Sequence, residues 1–489
     1  MNIKKFSFFF LGFVLVTVGC SSPKASPTAV VPAQEDNMRY LENDRIKLGI
    51  DTSIGGAITF LSDKANGGLN MINSHDWGRQ IQLSFYSGPT PFIGPNGEKP
   101  SEHWAGLGWN PIQAGDAGGN RSKVIEFEYL GETAMRVRCI PMQWPHTLGV
   151  PGDCEFECLY TLRDNVFILE ATIHNKRLDK TQYQACGQEM PALYTNGSWY
   201  KLVTYLGDEP FQDKPVTIIV DKNDGKGWPW VHFYTPEQWV AIVDEAGQGI
   251  GIFQPAIMNF NSGFAGSDAY KGFGDEHAAQ TGHIAPVGRE ILDHNISWSY
   301  TTSFIVGSVD DIRQYAKEHW MIKPNPEWIF SNSRNGWYYE GNKGDAGWPV
   351  KGFLDFQFDG KTRLTGPVTF WDSKNAGILE IEGAFTADSK EITLDIHLQP
   401  VGKSDFTDWL NWGDELHDLD KEKADKAVLY PGTPPFKISR PLQIDGGNRL
   451  YRINLNEAPE YKGAMKQISL GFTGPGSAKI KSIKLLPVN

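Results

Sequence analysis

The chain has 489 residues, 40% of them hydrophobic, and a formal charge of −12. That length and apolar content are enough for two or three domains with real cores, and they exclude a disordered chain. The acidic balance excludes nucleic acid as a partner, which requires a basic face. Aromatic residues reach 12%, with 16 Trp, a density that suits β-sandwich cores and also supplies flat rings for stacking on sugars.

"MNIKK" opens the chain with a positive segment, and "FSFFFLGFVLVTV" comes after it as an apolar run too short to favour a membrane span. Gly19-Cys20 comes next. These features resemble a bacterial lipoprotein signal over 1–19, which implies lipidation of Cys20 and anchoring to the outer membrane, on its surface or periplasmic face. Residues 20–37 are Ser/Pro/Ala-rich and read as a flexible tether. Removing Lys4 and Lys5 with the signal takes the charge from −12 to −12 − 2 = −14. Four cysteines remain beyond Cys20: Cys139, Cys154, Cys158 and Cys186. An even number in an oxidising compartment leaves open a bridge from Cys154 or Cys158 to Cys139 or Cys186, or buried free thiols.

From about residue 40 the pattern is strand after strand, for example "RIKLGID", "AITFL", "QIQLSFY", "CEFECLYTL", "VFILEATIH" and "ISWSYTTSFIVG", with turn residues between. This predicts a large antiparallel β-sandwich over 38–307. An extended reading of Trp77–Phe85 puts Trp77, Arg79, Ile81, Leu83 and Phe85 on one face and Gln80, Gln82 and Ser84 on the other. A guanidinium on an apolar face calls for an acid partner, a frayed strand end, or a cleft that receives a ligand. "SVDDIRQYAKEHW" is the first convincing helix, capped by Ser308, with Ile312, Tyr315, Ala316 and His319 in one stripe. It predicts a helical connector over 308–334. Residues 335–489 return to strands and predict a second, smaller β-sandwich. The acidic stretch 405–426 reads as an exposed loop or short helix.

Polar clusters fall at strand ends and in loops. They are "HDWGR" with Trp77 and Arg79, "HWAGLGWNPIQAGD" with Trp109 and Asn110, and "QWPHTLG" with His146. "CGQEMPALYTNGSWY" carries Gln188, Glu189 and Tyr194, and "GDEHAAQTGHIAP" carries Asp275, Glu276, His277 and His283. "SIGGAITFL", "GRQIQLSFY", "WNPIQAGD" and the pair "CEFECLYTLRDNVFILEATIHN" together resemble the galactose mutarotase-like β-sandwich found in aldose epimerases, glycoside hydrolases and polysaccharide lyases. The resemblance implies a concave sheet that binds sugar, with Arg79 pointing into its cleft. Where aldose epimerases carry a second His, this sequence has Gln188 and Glu189. "GWYY…DAGWPVKG", "LTGPVTFW" and "LYRINLNEAPEYKGAMKQISLGF" resemble jelly-roll modules of secreted carbohydrate-active enzymes, with Trp348, Trp409 and Trp412 as stacking candidates.

Three readings compete. One is β-elimination on a uronate-containing oligosaccharide, as a lyase or dehydratase. It needs a cation or amide on the carboxylate, a base, and an acid for the departing oxygen. Arg79 with Gln188 fits the first role, and His277, His283 or Tyr194 the others. The second reading is glycoside hydrolysis, with Glu189 and a partner such as Asp116, Asp275 or Glu276. The third is a tethered glycan-binding protein without catalysis. Trp77, Trp109, Asn110 and His146 complete the expected substrate contacts. No P-loop, dinucleotide turn, HExxH or Ser elbow occurs, and no cofactor is expected. Asp275, His277 and His283 have a spacing that would also accept a divalent cation. The expected partner is an oligosaccharide or polysaccharide, bound by a monomer that touches membrane only through its lipid.

Overall fold

The computed structural model describes residues 37–219, 230–266, 268–320, 323–341, 344–389, 391–401 and 435–488. The signal, Cys20, nearly all of the tether, and the acidic stretch with Trp409 and Trp412 lie outside these residues. Among the described residues no helix is long and apolar enough to cross a membrane.

The protein is all-β, built as two antiparallel sandwiches in succession. Strands from Met38–Glu42 through Ser297–Ser308 form a ten-stranded and a nine-stranded sheet. Period-two sequence accounts for their pairing. Ala134–Ile140 and Cys154–Arg163 alternate buried and half-buried residues along their length. The apolar half of each, including Val137, Phe156 and Tyr160, meets Ile81, Leu193 and Ile284 of the opposite sheet in one core. Cys139, Cys154 and Cys158 are buried free thiols in this core and Cys186 is a half-buried one, so none of the bridges considered forms.

The helix Val309–His319 comes directly after the last of these strands. Ser308 Oγ accepts from Asp311 N, and the Asp311 carboxylate answers on the Ser308 N–H, so both ends of a capping box are present. Ile312 and Ala316 pack on the outer side of the nine-stranded sheet against Val243 and Phe253. The helix is thus part of the first sandwich's packing rather than a free connector.

Strands from Glu327–Ile329 to Pro475–Leu486 form the second sandwich, a five-stranded sheet facing a six-stranded one. Its core is separate, around Trp337, Phe356, Trp371, Leu379 and Ile483. Trp348 packs its half-buried ring on the first sandwich's core, so it serves the junction. The junction also holds a buried polar knot. Arg334, with no exposed side-chain surface, reaches Asp293 of the first sandwich at 2.7 Å and Asp345 of the second at 2.6 Å.

The extended face read for Trp77–Phe85 holds only from Ile81 onward. The strand is Ile81–Ser84, and Gln80 sits at φ 84°, a left-handed conformation that breaks the alternation. Ile81, Leu83 and Phe85 face the core as expected, while Trp77 and Arg79 lie in the preceding turn.

Candidate active site

The outer face of the ten-stranded sheet is where polar side chains converge. Its middle strands run Ile81–Ser84, Cys186–Asn196, Thr281–Glu290, Asn259–Ala265, Trp230–Tyr234 in that spatial order. Ile284 points into the core, so His283, Val287 and Arg289 point outward. Leu83 and Phe85 likewise leave Ser84 and Tyr86 on that outer side.

Glu189 and Tyr194 are separated by an odd number of positions, which strict alternation would place on opposite faces. The pairing register shifts between Glu189 and Leu193, a bulge around Pro191. A bulge adds one residue and re-aims the side chains beyond it. Both side chains therefore share the outer face, and both meet His283. Tyr194 lies across from His283 with ring centroids 4.4 Å apart, and His283 Nε2 is 3.7 Å from Glu189 Oε1.

On the other side of His283 the register continues through Gly263 to Trp230. Glycine at that position leaves no side chain between the rings. Trp230 therefore closes on His283 at 4.7 Å and on Tyr194 at 6.0 Å. His283 forms the floor, fully buried, with Nδ1 donating to Leu193 O at 3.1 Å. That bond fixes the tautomer: Nδ1 carries the hydrogen and Nε2 presents a bare lone pair toward Glu189.

Burial sets the electrostatics. It holds His283 down at about 3, despite the Leu193 carbonyl, so the imidazole is neutral. Burial raises Glu189 above the ordinary carboxyl range, with hydrogen bonds from Tyr86 and Ser84 pulling it partly back. Tyr86 donates to Glu189 Oε2 at 3.0 Å. Its hydroxyl is raised well above the usual phenol value by burial and by the neighbouring Glu189 charge. Tyr194 is raised for the same two reasons. The Glu189 side chain is still 14% exposed, so a ligand lying over Tyr194 and Trp230 reaches it.

Two further groups, Arg289 and a neutral His232, lie along the same outer face. Arg289 stands two positions beyond Val287, the residue paired with Glu189, which places it about 7 Å farther along the strand. Its guanidinium donates to Ala185 O at 3.4 Å and lies 5.2 Å from the Tyr338 ring, and no described carboxylate pairs with it. His232 is lowered to about 4 by burial and by Arg289. Tyr86, Trp230, His232 and Arg289 were not among the sequence candidates. The alternation "SFY" after Leu83 and "HIAPVGR" around Ile284 carried the signal for Tyr86 and Arg289.

Other candidates take structural places. Arg79 pairs with Asp76 at 3.3 Å and donates to the Ala279 carbonyl at 2.8 Å, tying its own turn to the loop before Thr281. It is committed to that clamp rather than aimed at a ligand beside Gln188. Gln188 has both ends of its amide occupied, accepting from Tyr86 N at 2.8 Å and donating to Tyr86 O at 2.9 Å. The expected Arg79–Gln188 carboxylate clamp does not form. Arg79→Met is expected to lower the thermal midpoint, by roughly 1–3 kcal/mol of stability for stripped hydrogen-bond partners, without a selective loss on acidic sugars.

Trp109 is fully buried, donates to Asp153 at 2.8 Å and lies under Arg177 at 5.0 Å. Asn110 is buried and donates to Phe85 O at 2.9 Å. Trp77 donates to Gly119 O and packs on Ile54 and Ala57. His146 is buried edge-on to Phe92. These four hold loops together instead of lining the cleft. His277 is exposed in a turn capped by Asp275, whereas His283 is on the sheet floor. The cation set Asp275, His277 and His283 is thus not assembled, and among the described residues no group of His, Cys, Asp and Glu converges to hold a metal.

Neither a family model nor a curated protein matches the sequence. Solved structures that are similar include a GH36 α-galactosidase from Geobacillus stearothermophilus, at 9% identity and TM-score 0.35, covering 60% of this chain and 44% of that one. A polysaccharide lyase is similar at 10% identity and TM-score 0.29, covering 93% and 47%. A xanthan lyase from Paenibacillus is similar at 9% identity and TM-score 0.29, covering 91% and 50%. The chain therefore spans half or less of the length of each of these three. Similarity at this level says nothing about chemistry, which has to be read from the side chains of the cleft.

Proposed function

We propose that the protein is a carbohydrate-active enzyme that cleaves uronate-containing oligosaccharides by β-elimination at the Glu189 cleft. The observation that carries this is a buried carboxyl, raised above the ordinary range, beside a neutral imidazole lone pair and ringed by Tyr86, Tyr194 and Trp230. Aromatic faces suit pyranose rings. Hydrolysis asks for two carboxyl groups flanking the bond; among Ile81–Ser84, Cys186–Asn196, Thr281–Glu290, Asn259–Ala265 and Trp230–Tyr234 the other carboxyl, Glu290, is turned to Arg334. Two of the three partners considered for it, Asp116 and Asp275, are committed to loop and turn contacts. Asp116 is 1% exposed and accepts from the N–H groups of Gly118, Asn120 and Gly149. Asp275 caps its own turn.

In the proposed reaction Glu189 takes the proton at C5. The electron pair of that C–H bond forms the C4–C5 double bond, and the C4–O bond breaks. Tyr194, a hydroxyl that keeps its proton, gives it to the departing oxygen and recovers it from Glu189. Arg289 holds the substrate carboxylate, which lowers the cost of the carbanion-like transition state. His283 is a positioning residue: its lone pair faces Glu189 Oε1 and orients that carboxyl.

The test is to follow ultraviolet absorbance of an unsaturated uronate together with new reducing ends, on uronic and neutral oligosaccharides. Absorbance gain on uronic substrates is the expected result; reducing ends without it would make the protein a hydrolase and overturn the assignment. Arg289→Gln is expected to raise KM for uronic substrates roughly tenfold to a hundredfold, the worth of a hydrogen-bonded charge, and to leave the binding of neutral oligosaccharides as it was. Lipidation at Cys20 is part of the same reading, and incorporation of labelled fatty acid that Cys20→Ser abolishes would establish it.

A further inference from the structure

The junction of the two sandwiches contains a cavity of about 790 Å³, within the range of small-molecule sites. The first sandwich gives it Gln238, Gln254, Asn259, Trp298 and Tyr300, and the second gives Trp328, Tyr338 and Gln467. Lys323, Glu327 and Asn335 stand exposed among its lining residues. Arg289 and Glu290 also line it, so the wall combines aromatic rings, amides and hydroxyls with a few charged groups, a residue mix that hydrogen-bonds sugar hydroxyls and packs on sugar C–H faces.

Two of its lining residues each carry a buried polar atom without a partner. The Tyr300 hydroxyl belongs to a residue only 7% exposed, and Gln238 Oε1 to one only 1% exposed, and neither makes a hydrogen bond. Buried polar atoms are almost always paired, so two unpaired ones on one cavity wall need a reason. Gln254 beside them shows the contrast, since its Oε1 accepts from Thr302. Glu189 is not among the residues that line this space, although its neighbour Met190, its strand partner Val287 and Arg289 are.

We propose that this junction cavity is a binding subsite that adjoins the Glu189 site through Arg289 and holds a pyranose oligosaccharide, whose hydroxyls pair with Tyr300 and Gln238. The inference rests on the carbohydrate reading above but not on the chemistry given to Glu189. It also gives the second sandwich a role, because the site is incomplete without Trp328 and Tyr338.

The full chain carrying Glu189→Gln is titrated calorimetrically with galacturonate, alginate, cello- and xylo-hexasaccharides. At least one is expected to bind. Tyr300→Phe and Gln238→Leu, each placed in that background, are expected to weaken it roughly tenfold or more. Their thermal midpoints should stay level or rise, because each removes a buried atom that has no partner. A purely structural role for either residue would move the midpoint and leave affinity alone. The proposal falls if no hexasaccharide binds, or if both variants bind like their parent, which would mean water satisfies these atoms. It also falls if a complex structure shows the saccharide at Glu189 only. Binding at the junction by a protein that turns over none of the four would support this site while sinking the catalytic reading.

Discussion

Glu189→Gln is expected to reduce turnover by about 10²–10⁴-fold, the usual worth of a positioned acid–base group, while leaving the protein folded and more resistant to heat at neutral pH. The two halves of this expectation share a cause. Burial raises the Glu189 carboxyl above its ordinary range. A carboxyl whose folded pKa is raised binds more protons in the native state than in the unfolded one. Stability then falls as pH climbs from the unfolded pKa through the folded one, and the loss is complete above it. Gln has no charge to lose, keeps an oxygen for the Tyr86 hydroxyl, and escapes that loss. Thermal melts of both forms from acid to neutral pH should therefore diverge, with the Gln form gaining ground as pH rises. A Gln variant that melts lower throughout that range would mean the ionised carboxylate is well solvated in the fold. A variant that keeps its turnover would remove Glu189 from the mechanism.

The same pair predicts the shape of the pH–rate profile. Glu189 must be ionised to accept a proton, so kcat/KM is expected to rise through its raised pKa, at a pH above the ordinary carboxyl range. His283, held at about 3, stays neutral across that limb and contributes no step of its own. His283→Gln should lower kcat and shift the acid limb, because a positioning group lost from Glu189 Oε1 changes that carboxyl's environment. A variant that only loses stability, with the limb unmoved, would reduce His283 to packing.

Much of the architecture was open to reading in the sequence because period-two patterning is a local property. The alternation in "CEFECLYTL" gives the strand and its buried face directly, and "SVDDIRQ" gives the helix start with its capping box. Glu189, Tyr194 and His283 were found as polar residues in strand-end segments, and the fold brings all three together. What brings them together is not local. The bulge at Pro191 rotates Tyr194 onto the face of Glu189, and the bare position at Gly263 lets Trp230 reach His283. Neither pairing register nor bulge is visible in a strand taken by itself. Arg79 went the other way for a similar reason. Its apolar alternation stops at Gln80, whose left-handed backbone turns the chain, and the guanidinium spends its donors on Asp76 and Ala279. Arg289 offers a guanidinium that no described carboxylate pairs with, the role the alternation assigns to Arg79. Its partner ring, Tyr338, is in the other sandwich, and no local pattern announces that contact.

Arg334→Leu is expected to destabilise the protein by about 3–5 kcal/mol, the cost of stripping the partner from buried charges. The Arg334 side chain has no exposed surface, and it donates to Asp293 at 2.7 Å and to Asp345 at 2.6 Å and 2.7 Å. Burial pulls the guanidinium's pKa down, but hydrogen bonds and charge from Asp345, with Asp293 and Glu290, hold it above the ordinary value. Gln182 of the first sandwich donates to both Asp293 and Asp345 at 2.9 Å, and Tyr339 donates to Asp345 at 3.0 Å. Removing the cation leaves Asp293 and Asp345 buried side by side with only amide and hydroxyl donors. Lysine should rescue little, since a point charge cannot bridge two carboxylates as a planar fork does. Adding Asp293→Asn and Asp345→Asn to Arg334→Leu should recover part of the loss, because Glu290 is then the one carboxyl left of Arg334's three acidic neighbours. Denaturant unfolding of the single, lysine and triple variants measures this ordering. If the triple variant is no more stable than Arg334→Leu alone, the cost lies in packing at the junction and not in its unpaired charges. The sandwiches' shared surface positions Tyr338 under Arg289, so the single variant should also lose affinity for uronic oligosaccharides before it loses its fold.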